Sequence, residues 1–202
     1  MTTVLICVPC LLVGGTEVHT LTLARVLVDS GYTVVVCAYY EYDAGMVGAV
    51  RRVGAEVRLL GLTRDGSKKN LGRMPRLAMA LAKTIRQLQP DVVHVQYMTP
   101  GVAPVVVARL CRVPRVFATV HVPGHTYGRR IWVPRAVTRL CDAFLCVSEV
   151  AERSFFGDSA VFAPELAATG RRHFTIHNAV DIEAARALKQ SGKIDEKRKE
   201  LR

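Results

Sequence analysis

The sequence predicts an α/β protein: a doubly wound, mostly parallel sheet with helices on both faces. Three observations predict it. Short β-branched apolar runs alternate with stretches of helical period. The runs are apolar throughout, as strands covered on both faces must be. Glycine or proline stands at many of the junctions. Right-handed crossovers then wind such units into a single sheet.

The elements follow in order. Val4-Leu5-Ile6-Cys7-Val8 is the first strand. Residues 16–30 read as a helix, with Thr20, Leu23, Ala24 and Leu27 at helical spacing, Thr16 as N-cap and Gly31 as stop. Residues 33–38 form a second strand, 44–53 a short helix stopped by Gly54, and 56–60 a third strand. Residues 73–89 form an amphipathic helix: Leu77, Leu81, Ile85 and Leu88 make one stripe, with Arg76, Lys83 and Arg86 opposite and Pro90 at the end. Strands are expected at 91–96, 115–120, 143–147 and 173–176, and helices at 100–111, 131–140, 149–155 and from about 182.

With 202 residues, 50% of them hydrophobic and 22% charged, the chain can bury a sizeable core and is not disordered. The expected organisation is one domain over 1–181 and a tail over 182–202. From Lys189 onward the tail is highly charged, with only Ile194 and Leu201 as large apolar residues; it reads as a linker or solvated helix leading toward a further domain. No apolar run reaches the ~18 residues of a membrane span, and the N-terminus lacks the basic segment of a signal peptide. A cytoplasmic protein is expected. Its six cysteines then read as reduced thiols, most of them buried. The formal net charge of +11 favours anionic partners.

In a doubly wound sheet, ligands bind beyond the carboxyl ends of the strands. Six segments gather there: 9–17, 39–43, 97–100, 121–130, 148–152 and 177–181. In the first, Gly14-Gly15-Thr16-Glu17 joins strand to helix. Two glycines admit close backbone approach, and the helix start offers N–H groups to an anion such as phosphate. A plain tight turn would use the same residues. The dinucleotide pattern G-x-G-x-x-G is absent, which argues against a nicotinamide or flavin enzyme.

His121 follows the fifth strand at this edge, where an imidazole can hydrogen-bond a sugar hydroxyl or answer phosphate charge. His94 lies inside the fourth strand and reads as a satisfied core group. Cys7-Val8-Pro9-Cys10 is a C-x-x-C, but Cys7 is within a strand and the helix starts well after Cys10, so a redox pair is not expected. No His/Cys/Asp spacing resembles a metal site, and no metal or other cofactor is expected. Lys68, Lys69, Arg73 and Arg76 form a basic cluster. Arg129 and Arg130 lie beside Tyr127 and Trp132. Both groups suit an anionic membrane surface or an anionic acceptor, or are simply solvated charge. No recognition motif accompanies the charge, so nucleic acid is not an expected partner.

Together these residues resemble the N-terminal half of the retaining glycosyltransferases of family four, which place two Rossmann-like domains face to face in the GT-B architecture. The resemblance rests on Gly14-Gly15-Thr16-Glu17, Pro90-Asp91-Val92-Val93-His94-Val95, Thr119-Val120-His121, Val147-Ser148-Glu149 and Ile176-His177-Asn178-Ala179-Val180-Asp181, in order. It implies transfer of a sugar from a nucleotide-sugar co-substrate to an acceptor hydroxyl with anomeric retention and no metal. It assigns Gly14 and Gly15 to the phosphate side, Glu17 to the acceptor side, His121 to the transferred sugar as the catalytic residue, and Asn178 and Asp181 to the passage between domains; the basic and aromatic pattern adds Tyr127 and Arg129 to the acceptor side. Ala179 stands where the family has glycine.

The family keeps its nucleotide pocket in a second domain, which nothing after Asp181 supplies. The expectation is therefore an acceptor-side domain, inactive by itself, with a glycan or glycolipid acceptor and a peripheral position on the inner face of a membrane. The alternatives are a free-standing module that binds glycan or anionic lipid without turnover, and a fragment of a GT-B nucleotide-sugar epimerase.

Overall fold

The computed structural model describes residues 1–63, 73–96 and 98–178. The expected helix from about 182, the tail, Lys68, Lys69 and Asp181 lie outside the described residues, as does the side chain of Arg73.

The strands are β1 (Thr3–Val8), β2 (Thr33–Ala38), β3 (Glu56–Leu59), β4 (Val92–Gln96), β5 (Arg115–Val120), β6 (Ala143–Cys146) and β7 (His173–Thr175). The helices are α1 (Gly15–Asp29), α2 (Ala44–Arg52), α3 (Arg73–Leu88), α4 (Met98–Leu110), α5 (Trp132–Thr138), α6 (Glu149–Phe156) and α7 (Pro164–Ala168). A 3-10 stretch, Gly124–Arg130, precedes α5. The strands form one sheet in the order β3-β2-β1-β4-β5-β6-β7, and every pairing is parallel. The chain winds outward from β1 to β3, then returns to lay β4 on the other side of β1. The topological switch point thus lies between β1 and β4, where an open α/β sheet offers its crevice.

Strand alternation sorts the core into two layers. Leu5, Cys7, Val35, Val93, Val95, Val116, Ala118 and Val120 face α3–α6, where Leu77, Leu81, Ile85, Val105 and Phe155 pack on them. Val4, Ile6, Val8, Val34 and Val36 face α1 and α2, against Ala24, Met46, Val47 and Val50. The α3 stripe is realised as read: Leu77 and Leu81 are fully buried, while Arg76, Lys83 and Arg86 are exposed. Burying each such leucine contributes about 1.5–3 kcal/mol.

Two polar clusters fasten the later strands. At the amino edge Asp142 accepts from the Val116 N–H at 2.7 Å and from Arg109 Nη2 at 2.7 Å, and Arg109 Nε donates to the Leu140 carbonyl at 2.6 Å. Against β7 the carboxylate of Glu152 on α6, fully buried, accepts from Thr175 Oγ1 (2.6 Å), Arg171 Nη2 (2.9 Å) and the Ala160 N–H (3.1 Å), and sits 2.8 Å from His173 Nδ1. Burial alone would raise its pKa; those hydrogen bonds outweigh it and hold the carboxyl below its usual range.

The differences from expectation have local causes. The helix expected over 131–140 is trimmed to α5, and the 3-10 stretch before it is broken at Gly128, whose φ of 51° and ψ of −133° are not helical. α7 was not expected: it has five residues, none buried, and so no periodic stripe to betray it. Thr16 is not the N-cap of α1; Gly14 takes that place with extended backbone and no side-chain cap.

Candidate active site at the sheet switch point

The loop after β1 is pinned before it reaches its glycines. Pro9 O accepts from the Tyr40 N–H at 3.0 Å, Leu11 N–H donates to Glu41 O at 3.0 Å, and Asp43 N–H donates to Leu11 O at 2.8 Å. Cys10 Sγ donates to Glu41 Oε2 at 3.0 Å. Cys7 is fully buried and burial pushes its thiol up to about 12, which leaves no reactive thiolate for a redox pair. All six cysteines are free thiols.

Gly14 and Gly15 then open α1. Gly14 has φ −167°, which any residue adopts. A Cβ on Gly14 would stand 2.6 Å from Glu17 Oε2, and one on Gly15 would meet nothing within 4 Å among the described residues. Neither backbone strain nor protein packing therefore calls for glycine at position 15. The carboxylate of Glu17 folds back over Gly14 at the positive end of α1.

His121 follows β5 on the α1 side of the sheet. Its Nε2 lies 2.8 Å from Gln96 Oε1 at the end of β4. Its ring meets that of His19, on the second turn of α1, edge to face with centroids 5.1 Å apart. Behind them, His94 Nε2 lies 2.8 Å from Thr119 Oγ1 and 3.4 Å from Gln96 Nε2. Gln96 is fully buried and Thr119 nearly so. The apolar layer beneath α1 thus gives way, between β4 and β5, to a strip of imidazole, amide and hydroxyl groups. Burial first, and then the neighbouring His19, push the His121 pKa down to about 4. Burial, with His19 and His121 nearby, pushes His94 down to about 3. Both rings are neutral at pH 7.

The segment after His121 is held by close packing. The Gly124 N–H donates to Ser154 Oγ at 2.6 Å, and a Cβ at Gly124 would come within 2.9 Å of the Ser154 carbonyl and 2.8 Å of Ile131. Beyond it the Tyr127 ring is turned inward, 5.5 Å from Phe155, while Arg129, Arg130 and Trp132 are exposed. Ser148, in Val147-Ser148-Glu149, caps α6 by accepting from the Ala151 N–H at 3.2 Å. Asn178 is exposed just after β7, at the same carboxyl edge but two strands from β5.

Sequence reading singled out Gly14, Gly15, Glu17 and His121, and the structure brings them to the switch point through the α1–β5 contact. It missed His19 and Gln96. His19 lies four residues after Gly15, on the helix face above the glycine loop; Gln96 is the last residue of β4, next to the crossover. Those positions were the available signals. His94 is a satisfied core group, as read. Among the described residues no group of three or more His, Cys, Asp or Glu is arranged to hold a metal ion. No described helix is long and apolar enough to cross a membrane.

A cavity of about 610 Å³ opens elsewhere, among Arg135, Arg139, Phe156 and Arg172. It lies where α5 and α6 end and β7 begins, at the amino edge, away from the histidine cluster.

No curated protein matches the chain significantly. Solved structures show the same fold. The chain superposes on Anabaena HepE, crystallised with UDP-glucose, with a TM-score of 0.63 at 15% identity, over 95% of this chain and 50% of that one. A glycosyltransferase from Rickettsia africae gives 0.58 at 12%, over 94% and 49%. The UDP-GlcNAc 2-epimerase of Neisseria meningitidis, bound to UDP-GlcNAc, gives 0.57 at 13%, over 100% and 52%. The chain thus spans about half the length of these proteins, and its sheet is one half of the GT-B architecture. The family model for Glycosyltransferase Family 4 matches residues 13–184, most of the sequence, and the chain belongs to that family.

Proposed function

We propose that this chain is the acceptor-side half of a retaining glycosyltransferase that moves a sugar from a nucleotide-sugar donor to the hydroxyl of a glycan or glycolipid. The observation that carries the reading is the meeting of His121 with the start of α1 at the β1/β4 switch point. A neutral imidazole there exchanges hydrogen bonds with sugar hydroxyls without adding charge. The open space over Gly15 lets a phosphate or an acceptor approach the backbone, which accounts for a glycine that the protein's own packing does not require. Glu17 swings off Gly14 to receive the acceptor hydroxyl, and the exposed Arg129 borders the acceptor. Asn178 and Asp181 lead toward the second domain. That domain brings the positive charge that the departing nucleotide diphosphate demands, so residues 1–202 by themselves do not turn over.

The test joins the chain to the donor-binding domain of a family member and measures nucleotide release and sugar transfer. Transfer by the joined protein and none by 1–202 supports the reading; turnover by 1–202 alone, or none by the joined protein, counts against it. The likeness to the Neisseria epimerase favours one second reading, a nucleotide-sugar epimerase half. Release of a 2-epimerised sugar in the same assay would select it.

We also propose a peripheral position on an anionic, inner membrane face. Exposed Arg76, Lys83 and Arg86 on α3 lie beside Met79 and Leu110, which are 65% and 77% exposed over the groove between α3 and α4. Basic heads around apolar side chains suit an anionic bilayer surface.

A further inference from the structure

We propose that Gln96 is a positioning residue that holds His121 in its Nε2–H tautomer by accepting that hydrogen on Oε1, with His94 and Thr119 fixing the orientation of the amide. A buried amide must satisfy one acceptor end and one donor end. The two ends of Gln96 face two imidazole nitrogens: Oε1 lies 2.8 Å from His121 Nε2, and Nε2 lies 3.4 Å from His94 Nε2. An oxygen at hydrogen-bond distance needs a hydrogen on its partner, so His121 carries it on Nε2. His94 Nε2 is then bare; it accepts the Thr119 hydroxyl at 2.8 Å and, more weakly, the amide N–H. The directions run without conflict: Thr119 O–H to His94, Gln96 N–H to His94, His121 N–H to Gln96.

This amide polarity is what discriminates. The opposite orientation would aim an N–H at His121 and reverse every hydrogen in the chain. A leucine would leave only the ring's intrinsic, weaker preference, and a glutamate would accept from both rings. His19, His94 and His121 are the titratable groups that meet here. Because His121 is neutral at pH 7, its tautomer decides which ring nitrogen donates and which accepts.

The consequence for sugar transfer rests on the proposed function, but the tautomer is read from the chain alone, so either can fail without the other. The test is the long-range proton–nitrogen spectrum of the imidazoles in ¹⁵N-labelled 1–202 at pH 7. His121 is expected to show a protonated-type Nε2 and an unprotonated-type Nδ1. In Gln96→Leu the two shifts move toward each other as the tautomers mix. In Gln96→Glu the Nε2–H is kept and the His121 titration midpoint rises by about one unit or more. An unprotonated-type Nε2 in the native chain overturns the proposal. So does a native His121 pattern in a folded Gln96→Leu. If Gln96→Leu does not fold, the native spectrum and Gln96→Glu decide: an unmoved midpoint in Gln96→Glu overturns it.

Discussion

The rings of His19 and His121 meet edge to face, 5.1 Å between centroids, and so tie the second turn of α1 to the end of β5. Two segments 102 positions apart in the chain share one crevice because β4 returns to the flank of β1 rather than extending the sheet beyond β3. The glycine loop, His19, Gln96 and His121 are neighbours through that reversal.

The first prediction concerns acid. His94 and His121 have folded pKa values of about 3 and 4, below the ordinary 6.5. The unfolded chain therefore binds more protons than the folded one between those values and 6.5. Their contribution to stability is complete above pH 6.5 and is lost as the pH falls toward 4 and then 3. The loss reaches at most about 1.4 kcal/mol per pH unit for each ring. Urea unfolding at pH 7 and pH 4.5 checks this: His121→Asn loses less stability between the two than the native chain does.

A second prediction separates two glycines. Gly124→Ala pushes a methyl into the Ser154 backbone and Ile131, and should lose about 1–3 kcal/mol in chemical denaturation. Gly15→Ala meets open space and should leave the unfolding midpoint of 1–202 unchanged or slightly raised. In the joined two-domain protein, Gly15→Ala lowers transfer through ligand approach alone.

At the far edge of the sheet, Glu152→Ala removes one of the two carboxylates on Arg171, which keeps Asp158 at 2.7 Å, and leaves the Thr175 hydroxyl and Ala160 N–H without their acceptor. Leaving a buried donor unsatisfied typically costs about 1–3 kcal/mol. Amide exchange should show β7 losing protection first, with β1 and β4 retained.

The basic groove is tested with anionic vesicles. Reversing Arg76, Lys83 and Arg86 to glutamate should reduce sedimentation of the chain with them at low salt, and raising the salt should reduce it for the native chain. Equal sedimentation of the two proteins would leave those residues as solubilising charge.

The strands and long helices were legible because their signals are local. Continuous runs such as Thr33–Ala38 and the Leu77–Leu81–Ile85 stripe on α3 carry their burial in their own periodicity. The glycine loop and His121 were legible too, since chain order alone assigns them to strand ends. His19 and Gln96 were not. A histidine on a helix and a glutamine closing a strand acquire meaning only from partners 102 and 25 residues away. Tyr127 went the other way: a tyrosine beside arginines reads as a surface residue, yet its ring packs on Phe155 through a contact 28 positions along the chain. α7 and the 3-10 stretch bury too little to leave a pattern.

The most direct measurement is sugar transfer by the chain joined to a family donor-binding domain, native against His121→Ala. If the crevice between α1 and β5 is half of the catalytic cleft, the variant keeps its unfolding midpoint at pH 7 to within a few degrees and loses about 10²-fold or more in kcat. Native turnover in a folded His121→Ala protein would contradict the account.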